Sequence, residues 1–123
     1  MDNKKFTLWN RLTATLMFVI SAVVYLMTIE PTASFWDCGE FISTSYKLEV
    51  GHPPGAPLFM MIANLFSQFA FGDVTKVALM VNIMSCLAAA ATILFLFWTI
   101  THIARRLLMR EGRKLSKSNA IAV

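Results

Sequence analysis

Two long stretches free of charge dominate the hydropathy pattern of this chain: Leu12–Ile29, 18 residues, and Val77–Ile100, 24 residues. A helix that crosses a bilayer needs about 20 mostly apolar residues, within a range of about 17–25. At about 1.5 Å per residue the two stretches reach roughly 27 Å and 36 Å, against a hydrocarbon core of about 30 Å. The pattern predicts two transmembrane helices, over 12–29 and 77–103. A cleaved signal sequence is the alternative for the first stretch, with Lys4 and Lys5 as its basic start. Signal cores, however, run only about 7–15 residues and end in an A-x-A-like site. Thr28–Ile29–Glu30–Pro31 offers no such site, so the spanning reading is preferred.

The intervening segment, 30–76, changes character three times. Pro31 disfavours helix at the residue before it, which makes 30–34 a connector. Ser34 suits the N-cap of a short helix over about 35–48. On that helix Asp37 and Glu40, three residues apart, share a face near the positive N-terminal end. Gly51–His52–Pro53–Pro54–Gly55–Ala56–Pro57 then holds three of the four prolines and two of the five glycines. Pro54–Gly55 suits the centre of a type II turn, and the stiffened backbone would hold His52 with little ordering entropy left to lose on binding. Residues 58–71 are apolar but short for a span. Asn64, Ser67 and Gln68 fall on one helical face opposite an apolar stripe, the pattern of an amphipathic helix at a membrane surface. Gly72 can end that helix and Asp73 can cap the next.

Composition agrees with a chain solvated by lipid. Hydrophobic residues make up 57% and charged residues 15%, against about 45–50% and about 25% in soluble domains. The net charge of +4 would suit a nucleic-acid partner if it were spread over a soluble surface. Instead it is confined to the ends, so no nucleic acid is expected. Lys4, Lys5 and Arg11 flank the first stretch; Arg105, Arg106, Arg110, Arg113, Lys114 and Lys117 follow the second. The segment between carries only Lys47 and Lys76 against Glu30, Asp37, Glu40, Glu49 and Asp73. The Lys/Arg bias predicts a cytoplasmic N-terminus (1–11), a basic cytoplasmic segment (104–123) and a non-cytoplasmic loop. Trp9 and Trp98 suit the cytoplasmic interface, Phe35 and Trp36 the outer one.

The residues capable of chemistry collect in that loop. Asp37 and Glu40 read either as the solvated face of a loop helix or as a general base with a partner, set among Phe35, Trp36 and Phe41. His52 reads either as a hydrogen bonder within a turn or as a substrate contact. Cys38 and Cys86 sit on different elements, so no disulfide is expected, and neither they nor His52 and His102 show metal-ligand spacing; no metal is expected. Ala88–Ala91, with Ser85, Cys86 and Thr92, form a small-residue patch of the kind that packs helices closely in lipid. Further helices, from a continuation of the chain or from partners, would use it. Part of an enzyme, a non-enzymatic scaffold or small subunit of a membrane complex, and a transporter fragment all remain open. The last is the weakest, because intramembrane charges mark transport pathways and neither stretch has one.

Asp37-Cys38-Gly39-Glu40, a gap, then Gly51-His52-Pro53-Pro54-Gly55-Ala56-Pro57 closely resembles the start of the transmembrane-protein-260-like family of protein O-mannosyltransferases, which includes bacterial members. The arrangement of spans fits as well, so the resemblance covers essentially the whole chain. It implies an all-α integral membrane fold of the glycosyltransferase C type, of which this chain would be an N-terminal fragment. It further implies a multi-pass protein in a bacterial inner (plasma) membrane that moves a sugar, with mannose a candidate, from a polyprenyl-phosphate carrier to Ser/Thr hydroxyls of exported proteins. Asp37, with Glu40 as second candidate, matches the acidic catalytic position of the first outer loop. Trp36, His52, Pro53, Pro54 and Gly55 are the expected substrate-binding residues. The bilayer, the lipid-linked sugar, the acceptor protein and further transmembrane helices are the expected partners. No cofactor is expected, and the fragment alone is expected to be inactive.

Overall fold

The computed structural model describes residues 3–110, with side chains described over 4–108. Arg113, Lys114 and Lys117, counted in the charge bias, lie outside the described residues. Helix α1 runs Asn3–Met27, α2 Cys38–Lys47, α3 Pro57–Ser67 with a 3₁₀ turn over Gln68–Ala70, and α4 Val74–Arg110. No strand occurs among the described residues. The fold is all-α, with two helices long and apolar enough to cross a membrane, Lys4–Met27 and Val74–Leu108. In the most apolar stretch of each, only 11% and 17% of the residues are buried. A core helix of a soluble protein would be buried on most sides; these present their Leu, Val and Phe side chains outward. At 37 residues, α4 is about 55 Å long, more than a hydrocarbon core, so it projects beyond one.

The chain divides into two compact units, Met1–Val23 with Ala89–Val123, and Val24–Ala88. In the first, the Arg105 guanidinium lies 5.0 Å from the centre of the Phe6 ring, a cation–π contact. Ala14 and Ala90 are fully buried there, while the neighbouring Ala89 of the small-residue patch is exposed.

The second unit contains the loop. Its core joins Ile42 of α2, Phe59, Ala63 and Phe66 of α3, and Val81 and Met84 at the start of α4. Two asparagines tie the backbone down. Asn64 Nδ2 donates to the carbonyls of Ser45 and Tyr46 at 2.9 and 3.0 Å, adding a partner in the last turn of α2, where Ser45 O also accepts from Leu48 N at 3.3 Å. Asn82 Nδ2 donates to the carbonyls of Glu30 and Thr32 at 2.8 and 3.1 Å, which holds the connector against α4. Asp73 precedes α4 and accepts from Thr75 N at 3.0 Å, an N-cap contact. Its carboxyl is held below the usual range by the Thr75 hydroxyl and by Lys76.

Local details depart from the sequence expectations. Helix α2 begins at Cys38 with Asp37 as its N-cap residue, not after Ser34, because Trp36 takes a left-handed backbone (φ 63°) that interrupts any earlier helix. The turn is centred on Pro53–Pro54, whose peptide bond is cis, and closes through Gly55 N to His52 O at 3.0 Å. That is one residue earlier than the predicted Pro54–Gly55 centre. Asn64 and Ser67 face inward, and Ser67 is buried. Two of the three polar residues therefore face inward, in hydrogen bonds to α2 and within α3, while Gln68 stays exposed.

Candidate functional site

Helix α2 and the turn before α3 bring three of the expected residues into one cluster. Glu40 sits in the first turn of α2. Its carboxylate grips His52 twice: Oε1 accepts from the His52 backbone N–H at 2.8 Å, and Oε2 accepts from ring Nδ1 at 2.8 Å. The other ring nitrogen, Nε2, faces Asp37 Oδ2 at 3.9 Å. The two carboxylates thus flank a single imidazole, although His52 is 12 residues from Glu40 in the chain.

Packing explains why they meet. The Phe41 ring stands edge-on to Phe59 at 5.6 Å and to His52 at 6.2 Å, which sets α2 against the start of α3. The Asn64 clasp fixes the far end of the same pair of helices. Gly51 passes close enough that an added Cβ would lie 2.9 Å from Met60 Cε and 3.3 Å from Glu40 Oε1, so a side chain there must push the Met60 end aside and crowd the Glu40 carboxylate. The Pro53–Pro54 turn then reverses direction, and Pro57 occupies the first turn of α3, where its missing N–H leaves no partner unmet.

Each partner alters the other's proton affinity. Glu40 is held below the usual carboxylate range, chiefly by the His52 backbone N–H and then by its ring. His52 is pushed above the usual imidazole range by the hydrogen bond to Glu40 and by the charges of Glu40 and Asp37. The pair therefore favours carboxylate and imidazolium. Asp37 is exposed, with one carboxylate oxygen toward the imidazole.

Asp37, Glu40 and His52 each place a ligand atom within 4.8 Å of the others, so a divalent cation would find two oxygens and one nitrogen there. The sequence spacing shows no such grouping, and the expectation that His52 lacks a ligand-like partner pattern is corrected. Trp36 and Phe35 are exposed and do not enclose Asp37 as expected; of the three aromatics named, it is Phe41 that touches the site. Pro53, Pro54 and Gly55 form the turn carrying His52. Gly51, which passes close to Glu40, and Asn64, which ties α3 to α2, were not among the expected site residues. The signal for Asn64 was present as an amide in an otherwise apolar helical run.

The fold and cluster define a class: an all-α membrane-type segment whose loop between two apolar helices builds a carboxylate–imidazole site. Residues 37–123 match the family model of the protein O-mannosyl-transferase TMEM260 N-terminal domain, and the chain belongs to that family. It is 32% identical over 85 residues to protein O-mannosyl-transferase tmem260 of Dictyostelium discoideum, covering 69% of this chain and 10% of that protein. It is 36% identical over 85 residues to protein O-mannosyl-transferase TMEM260 of Mus musculus, covering 68% and 12%. The chain thus spans about a tenth of the length of these curated relatives. No solved structure matches it. Asp37, Glu40 and His52 all fall inside the matched stretch.

Proposed function

We propose that this segment supplies the acidic half of the active site of a membrane glycosyltransferase that moves mannose from a polyprenyl-phosphate carrier to Ser/Thr hydroxyls of exported proteins. The observation that carries the reading is the Asp37–Glu40–His52 cluster in the loop between two membrane-capable helices. Asp37 accepts the proton of the acceptor hydroxyl. The acceptor oxygen then forms a bond to the anomeric carbon while the bond from that carbon to the carrier phosphate oxygen breaks, with inversion, and the lipid phosphate leaves. Glu40 holds the His52 ring through Nδ1. This leaves Nε2–H, 3.9 Å from Asp37 Oδ2 and beyond hydrogen-bond reach of it, to donate to the departing phosphate. That role needs the imidazolium form, because a neutral ring between two carboxylates would leave a doubly negative site that repels phosphate. Trp36, beside Asp37, contacts the donor where its lipid portion begins.

The charge bias of the flanks supports a loop on the non-cytoplasmic side. The bilayer, the exported acceptor and further transmembrane helices complete the proposed setting. Both named relatives are eukaryotic, so a bacterial inner membrane is supported by the sequence resemblance alone.

The test uses the full-length protein containing this segment, polyprenyl-phosphate mannose as donor and a Ser/Thr-containing acceptor peptide. Asp37→Asn is expected to lower transfer by about 10²-fold or more, the usual worth of a general base. Transfer at the unmodified rate would remove Asp37 from that role.

A further inference from the structure

The two nitrogens of His52 have different surroundings. Nδ1 lies 2.8 Å from Glu40 Oε2. An ionised carboxylate only accepts, so Nδ1 carries the hydrogen. In the neutral ring Nε2 is then the nitrogen with a lone pair to offer. It faces Asp37 Oδ2 at 3.9 Å. Glu40 is tied down on both oxygens, because its Oε1 also accepts from the His52 backbone N–H at 2.8 Å. It is therefore placed to support the ring from behind. A carboxylate on the far nitrogen of a metal-bound histidine has that place: it fixes the tautomer and the direction of the ring.

The opening between Nε2 and Asp37 suits a small divalent ion. Zn²⁺ lies about 2.0–2.2 Å from nitrogen and oxygen ligands, which at a tetrahedral angle sets two ligand atoms about 3.3 Å apart. Closing the observed 3.9 Å to that span takes roughly 0.6 Å, within the reach of the exposed Asp37 side chain. Mixed nitrogen and oxygen donors suit Zn²⁺ better than Mg²⁺ or Ca²⁺, which take oxygen ligands. The local charge favours a cation as well. The lysines of the loop are engaged elsewhere, Lys47 with Glu49 at 4.0 Å and Lys76 with Asp73 at 3.0 Å. The grouping of ligand atoms takes in Asp37, Glu40 and His52 but not Cys38, although Cys38 follows Asp37 in the chain.

We propose that His52 Nε2 and Asp37 Oδ2 form a Zn²⁺ site, with Glu40 as its outer support and water at the open positions, and that an ion held there blocks sugar transfer. The binding uses the geometry of the cluster alone. The block rests on the transfer reading above, in which Asp37 takes the acceptor proton and Nε2 meets the phosphate. A bound ion occupies both atoms at once.

The binding test takes the full chain in detergent micelles, labelled with ¹⁵N-histidine and carrying His102→Gln, Cys38→Ser and Cys86→Ser, and titrates it with Zn²⁺ alone. The expected result is a saturable shift of the His52 Nε2 signal at one ion per chain, with Nδ1 still protonated and no effect of millimolar Mg²⁺. Glu40→Gln should weaken binding by about 10–100-fold, the usual effect of losing an outer support, and Asp37→Asn should weaken it at least as much. A His52 ring unmoved by millimolar Zn²⁺, a shift at Nδ1 instead of Nε2, or unchanged affinity in Asp37→Asn would overturn the site. The first two outcomes are read with the cluster intact and do not depend on a variant folding. In the transfer assay with the full-length protein, micromolar Zn²⁺ should inhibit and EDTA should restore the rate. Transfer unchanged by bound Zn²⁺, while Asp37→Asn abolishes it, would overturn the block and leave the base in place. Transfer unchanged by Asp37→Asn would remove the base role instead, and the His52 signals would still decide the site.

Discussion

Removing the Asn64 amide tests whether the loop is a built structure or a loose connection. Asn64→Ala deletes two hydrogen bonds, to Ser45 O at 2.9 Å and Tyr46 O at 3.0 Å. Each is worth about 0.5–1.5 kcal/mol net, so the pair contributes about 1–3 kcal/mol. Side-chain hydrogen bonds within membrane proteins average about 0.6 kcal/mol, which favours the lower half of that range. A destabilisation of about 1 kcal/mol lowers the melting temperature of a chain this size by roughly 4 °C. The assay is thermal unfolding of the full chain in detergent micelles, followed by circular dichroism. The comparison is Gln68→Ala, whose Nε2 reaches Asn64 O at 3.4 Å in an exposed contact and whose loss should stay within about 0.5 kcal/mol. A second readout follows His52 by NMR. When α2 and α3 part, Glu40 loses its grip and the His52 pKa falls back toward 6.5. Equal melting temperatures for the two variants, with His52 unmoved, would refute the clasp.

Glu40→Gln keeps the side-chain shape but removes the charge; the His52 pKa should fall toward its ordinary 6.5 in an NMR titration, and an unchanged titration would show that Glu40 does not govern the ring. The contact should also have a pH window. Glu40, whose pKa is lowered, contributes fully above about 4.5 and loses its share as pH drops through the lowered value; His52, whose pKa is raised, contributes fully below 6.5 and loses its share as pH rises through the raised value. Exchange of the His52 amide hydrogen, corrected for intrinsic rate, should therefore be slowest relative to an unstructured peptide between these limits. Gly51→Ala should perturb the site mildly, because the Met60 side-chain end 2.9 Å from the new Cβ can swing away; Gly51→Val should displace the Glu40 carboxylate and bring His52 toward ordinary titration. Asn82→Ala frees the carbonyls of Glu30 and Thr32 and should speed proteolysis at the connector while leaving the His52 titration unchanged.

The two apolar helices were legible in the sequence because uninterrupted absence of charge is a local property, and so was the breaking power of the Gly51–Pro57 stretch. The start of α2 was not, because it depends on the backbone angle of Trp36, a residue whose size gives no hint of a left-handed conformation. The pairing of Glu40 with His52 was also out of reach. It depends on the helical packing of Phe41 on Phe59 and on the Asn64 clasp, which act across 19 residues or fewer but leave no periodic trace. For Asn64 and Ser67 the spacing was read correctly and the direction wrongly. The polar stripe reads as the outer face of an amphipathic helix at a membrane surface, whereas Asn64 satisfies backbone carbonyls of α2 and Ser67 is buried. Asp37, Glu40 and His52 were each picked out from residue type and neighbours; what the structure adds is that they form one cluster.

The proposed transfer requires the Asp37 cluster to lie on the side of the membrane away from the cytoplasm. Ser34 is exposed in the connector three residues before Asp37. Ser34→Cys, with Cys38→Ser and Cys86→Ser to leave one thiol, reports on that side directly. In intact cells a membrane-impermeant maleimide should label this thiol as fully as it does after permeabilisation. Labelling that appears only once the cells are permeabilised would put the cluster in the cytoplasm and contradict the account.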